Sequence, residues 1–80
     1  MTSLRAQTRS RHHRPNRRLQ GLRINEGLSP NALAYRAGVS GNTVRMAEDG
    51  FLPSPRVQFA IASVFDLQPL DLWPIEDQQP

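Results

Sequence analysis

Apolar residues recur at helical spacing from Asn16 onward and are almost missing before it. In NRRLQGLRINEG (16–27), Leu19 and Leu22 fall on neighbouring turns with Arg23, and Gly27 stops the run. LSPNALAYRAG (28–38) begins again. Ser29 is a good N-cap because its hydroxyl can accept from a first-turn N–H, Pro30 sits where a missing N–H is harmless, and Gly38 supplies the break. Leu33, Ala34 and Ala37 line one face of this helix. Ser40 caps a third helix that runs to about Asp49 and ends on Gly50, with Val44 and Ala47 turned inward. Ser54 and Pro55 repeat the Ser-Pro start, and RVQFAIASVFD (56–66) spaces Val57, Ile61, Val64 and Phe65 as an amphipathic stripe. A last turn, PLDLW, begins at Pro69, and no segment alternates with period two for long enough to read as a strand. The pattern predicts an all-α fold of five short helices. It consists of an arm over 1–15 expected to be disordered, a domain over 16–74 and an acidic tail over 75–80 expected to fray.

Length and composition narrow this further. Eighty residues hold one small domain, whose core is marginal unless nearly every helix contributes to it. The absence of cysteine removes disulfides and thiolate metal sites and suits a reducing compartment. No apolar run approaches the roughly 18 residues of a membrane span, and the N-terminus lacks the apolar stretch of a secretory signal. The expectation is a soluble cytoplasmic protein with no membrane partner. The basic, serine-containing start also fits a transit peptide, but that would leave a very short mature chain.

Charge is distributed unevenly. Nine arginines and one acid, Glu26, lie between Met1 and Arg45, whereas Arg56 faces six acids from Met46 onward. A basic front half points to a polyanion, and arginine forks suit phosphate and guanine. A merely solubilising tail and the codon bias of a GC-rich genome are the plainer explanations. An enzyme is not expected: the two histidines, His12 and His13, sit in the arm, and no carboxylate pair lies among apolar residues. No metal, cofactor or small-molecule ligand is expected either.

The second and third predicted helices are short and joined by AGVS, the connection of a helix-turn-helix in which one helix braces the next. With Val44 and Ala47 inward, Gly41, Asn42, Arg45 and Met46 are left facing out. The stretches LRINEGLSPNALAYRAGVSGNTV, EDGFLPSP and IASVFDLQPLDLW, in that order, resemble the lambda-repressor and Cro-like helix-turn-helix family, also called the XRE family, from about Arg18 to Trp73. The resemblance implies a phage or bacterial transcription regulator, a Cro-like repressor, binding a double-stranded DNA operator as a homodimer near the nucleoid. Gly41, Asn42, Arg45 and Met46 fall where that family reads base edges. Asn42 would pair with adenine, Arg45 with guanine, and Met46 would meet a thymine methyl. Ser29, the amides near Asn31, Thr43 and Arg56 match positions near backbone phosphates. Arg9, Arg11 and Arg14 in the arm, with Arg17 and Arg18, are expected on the backbone or in the minor groove. Arg23 and Glu48 match a partly buried ion pair between the first and third helices.

Simpler roles stand beside these. Ser29 is equally explained as a plain cap, Asn42 as an ordinary first-turn residue, and Arg45 as the partner of Asp49 in a surface salt bridge. Pro30, Asp49 and the Phe51-Leu52 pair depart from the family, which more often has polar or basic residues there. Phe59, Leu70, Trp73 and Ile75 are candidates for a dimer surface, Trp73 doubling as a core plug. Competing functions are a MerR-like excisionase or recombination directionality factor, marked by a β-hairpin after Gly50, and an antitoxin-type interaction module using Asp66, Asp71, Glu76 and Asp77. An RNA-binding arm is a further alternative.

Overall fold

The computed structural model describes residues 14–75. They form α1 (Arg17–Asn25), α2 (Pro30–Ala37), α3 (Gly41–Glu48), α4 (Pro55–Val64) and α5 (Pro69–Leu72), with no strand among them. The all-α, five-helix expectation holds. No helix among the described residues is long and apolar enough to cross a membrane. Arg9, Arg11, His12 and His13 in the arm, and Glu76 and Asp77 in the tail, lie outside the described residues.

Each start has a local chemical cause. Ser29, Ser40 and Ser54 hold extended backbone, and their hydroxyl oxygens accept from the N–H of Ala32, Thr43 and Val57. Four of the ends share a device. Gly27, Gly38, Gly50 and Asp66 take positive-φ backbone, and the next residue, Leu28, Val39, Phe51 or Leu67, donates its N–H back to the carbonyl of Arg23, Ala34, Met46 or Ala62. Leu28, Val39 and Leu67 then pack on or in the core, so those three stops also direct a hydrophobic residue inward. Asp66 stands where the other three stops have glycine, at φ 59°. Replacing Asp66 with glycine is expected to raise stability by about 0.5–1 kcal/mol, the left-handed penalty less the added unfolded-state entropy, and a urea titration measures it.

Every helix contributes one large, fully buried side chain: Leu19, Leu33, Val44, Ile61 and Leu72. Each such burial stabilises the fold by roughly 1.5–3 kcal/mol, which is why none of these short helices stands alone. Two details differ from expectation. α3 closes at Glu48 with Asp49 as its C-cap, one residue early. The expected stripe does face the core, with Ile61 buried and Val57, Val64 and the C-cap Phe65 packed partly buried against it, but Gln58 on α4 is buried as well. Its Nε2 donates to the carbonyl of Pro53 at 2.8 Å, tying the 51–54 loop to α4 and satisfying a polar group that would otherwise be stranded.

Asn16 joins three parts of the fold. Its Oδ1 caps α1 by accepting from Leu19 N–H, its Nδ2 donates to the carbonyl of Leu72 at 2.9 Å, and its N–H donates to that of Glu48 at 2.8 Å. The start of α1 is thereby fastened to the ends of both α3 and α5.

Candidate nucleic-acid interface

The third helix presents two contrasting faces. Val44, Ala47 and Glu48 are buried on one; Asn42, Arg45 and Met46 are exposed on the other. α2 packs along α3, with Gly38 at φ 76° turning the chain and Val39 packed against the core at the corner. This is the braced arrangement that two eight-residue helices with a three-residue connection allow.

An ion pair fastens α3 to α1. Arg23 Nε donates to Glu48 Oε2 at 2.5 Å and Nη2 to Oε1 at 3.1 Å, a two-pronged contact with both side chains largely enclosed. Arg23 Nη1 also donates to the carbonyl of Leu28 at 2.7 Å, so one guanidinium links α1, the turn after it and α3. The hydrogen bond to Glu48 raises the Arg23 pKa above its ordinary value, against the opposing effect of burial.

On the exposed face the side chains touch one another. Asn42 Nδ2 lies 3.5 Å from Met46 Sδ, one turn on, a weak donor–sulfur contact. Ser40 and Thr43 hydroxyls share a hydrogen bond at 2.8 Å beside the cap. Arg45 does not pair with Asp49; its Nη2 donates instead to Asn31 Oδ1 at 3.2 Å, across to the start of α2. Gly41 lies half-buried beneath that contact.

The remaining candidates separate. Arg17 reaches the α3 face, lining a shallow groove with Pro15, Gln20, Arg45, Glu48 and Asp49. Arg14 is exposed at the approach to α1, and Arg56 is exposed on the first turn of α4. Arg18 points elsewhere, its Nη1 donating to the carbonyl of Asp71 at 2.6 Å near the end of α5. The Ser29 oxygen is engaged as a helix cap. Trp73 is 3% exposed, inside the core, and so is withdrawn from the dimer-surface candidates. Among the described residues no group of three His, Asp or Glu side chains is placed to hold a metal ion.

One residue beside α3, Gln20, and one contact, that of the Asn31 side chain with Arg45, escape a reading by sequence alone. Gln20 is one position from the apolar Leu19, and only the approach of α1 to α3 puts it on the groove. The Asn31 side chain is drawn to Arg45 by proximity that has no mark in the local pattern. No protein-family model, curated protein or solved structure matches the chain.

Proposed function

We propose that the protein is a sequence-specific double-stranded DNA-binding regulator of transcription, with α3 entering the major groove, acting by occupancy of an operator and without chemistry of its own. The observation that carries this reading is the solvent-exposed Asn42–Arg45–Met46 face of a helix whose opposite side is anchored by buried Val44 and by the Arg23–Glu48 pair. A short helix that is locked from behind and carries base-edge donors in front is what groove reading requires. Arg17 beside Arg45, with Arg14 leading in, supplies positive charge for the flanking phosphates, set against Asp49 on the same groove, while Glu48 is paired with Arg23. The likeness to Cro-like repressors, cytoplasmic action at a bacterial nucleoid and an arm bearing Arg9 and Arg11 on the duplex belong to the same proposal. A homodimer would use the exposed Phe59, Leu70 and Ile75. The residues that a MerR-type wing would need form α4, which favours the repressor-like reading over the excisionase.

Selection from a random duplex pool, followed by titration at several salt concentrations, tests it. The wild-type protein is expected to enrich one motif. Arg45→Ala should lose about 1–3 kcal/mol of discrimination at a single base pair while still binding duplex of any sequence. Removing residues 1–14 should instead weaken all sequences alike and flatten the salt slope by about 0.9 for each phosphate the arm no longer neutralises. A wild-type protein that enriches no sequence and ignores duplex DNA at low salt overturns the proposal.

A further inference from the structure

The start of α3 is built around an absence. A Cβ at position 41 would overlap Asn31 Oδ1, and it would lie 3.2 Å from Asn31 Cγ and 3.3 Å from Arg45 Nη1. Glycine is a poor helix former, and it sits here on the first turn of an eight-residue helix. What it does allow is the approach of the Asn31 carboxamide from α2, close enough for Oδ1 to accept from Arg45 Nη2 at 3.2 Å. Asn31 and Arg45 are both exposed, so neither needs this bond to satisfy a buried group.

We propose that Asn31 is a positioning residue for Arg45, and that Gly41 is the slot that admits it: the three together fix the direction of the Arg45 guanidinium before any partner arrives. Resting on the DNA reading above, this makes α2 a determinant of base choice, although its side chain need not touch a base. A free arginine side chain carries rotamer entropy that must be given up on binding. One bond to Oδ1 uses a single donor of the guanidinium's five and leaves the others directed outward for a guanine edge. Rigidity acquired in the free protein is not lost again on the duplex, so the bond sharpens discrimination at one base pair more than it adds contacts.

The experiment has two arms, and the first needs no DNA. In the free protein, nuclear magnetic resonance of the arginine side chains is expected to show slowed rotation of the Arg45 guanidinium. Asn31→Ala and Gly41→Ala should both return it to fast averaging, and Asn31→Asp, which keeps an acceptor oxygen in place, should retain it. Gly41→Ala should do so without lowering the melting temperature, because alanine is the better helix former. Equal mobility of Arg45 in wild type and Asn31→Ala overturns the proposal. The second arm uses the selected duplex. Asn31→Ala is expected to lower discrimination at the Arg45 base pair by about fivefold, the equivalent of one net hydrogen bond, with no further loss when combined with Arg45→Ala. Losses that add in the double variant overturn positioning, since Asn31 would then act on the duplex independently. If the wild-type protein binds no duplex, the regulator reading fails while the guanidinium measurement still decides the positioning role.

Discussion

Replacing Glu48 with leucine while Arg23 stays in place is expected to destabilise the protein by about 3–5 kcal/mol. Arg23 is 12% exposed at the side chain and Glu48 8%, so removing the carboxylate leaves a guanidinium enclosed without its counter-charge. A domain of this size has on the order of 0.05–0.15 kcal/mol of stability per residue, so the change consumes a large part of the total and lowers the melting temperature by about 12 °C or more. Arg23→Met is expected to be similarly damaging, and it also removes the donor to the Leu28 carbonyl. The combined Arg23→Met/Glu48→Leu variant should recover most of the loss, because two well-packed apolar side chains often replace a buried pair at little net cost. A deficit of about 1 kcal/mol should remain from the unpaired Leu28 carbonyl. The pair is insensitive to alkali over the working range. A folded-state pKa raised above the ordinary arginine value gives stabilisation that is present below that value and fades only as pH climbs beyond it. Thermal melts of the two single variants and the double one check all of this. Single variants that melt with the wild type would remove the anchor on which the exposed α3 face depends.

Much of this architecture is readable before folding because its causes are local. Ser29, Ser40 and Ser54 cap through their own hydroxyls three residues ahead, and Pro30 and Pro55 occupy first-turn positions that tolerate them. The inward positions Leu33, Val44 and Ile61 follow from the 3.6-residue period. The contacts that escape are those between elements far apart in the chain. Asn16 looks like a helix start, but its second hydrogen bond, to Leu72, spans 56 positions. Gln58 leaves a trace: it falls at i−3 and i−4 from buried Ile61 and Ala62, so a polar residue on the apolar stripe signals a buried hydrogen bond. Arg45 illustrates the opposite error. Local spacing offers Asp49 one turn on, yet the guanidinium turns back to α2, because the open slot over Gly41 brings a carboxamide within reach.

Trp73→Ala is expected to cost about 3–5 kcal/mol, the range for truncating a large aromatic side chain in a packed core. Trp73 is 3% exposed and follows Leu72, whose side chain is fully buried, so α5 seals the core although it is only four residues long. The alternative role at a dimer surface makes a different forecast. An interface tryptophan would contribute only in the assembled state, so its removal would lower the melting point at high protein concentration and leave a diluted monomer unchanged. A core tryptophan destabilises equally at all concentrations. Because Trp73 is the single tryptophan, its emission reports the same distinction, remaining that of a buried indole on dilution of the wild type. The consequence should extend to the α3 face. The carbonyls of Asp71 and Leu72 accept from Arg18 and Asn16, and Asn16 in turn donates to the carbonyl of Glu48 at the end of α3. Loosening α5 therefore frees the start of α1 and, with it, one support of α3. On the proposed DNA-binding reading, Trp73→Ala is accordingly expected to weaken duplex binding without altering which sequence is preferred, whereas Arg45→Ala is expected to alter the preference and spare the fold.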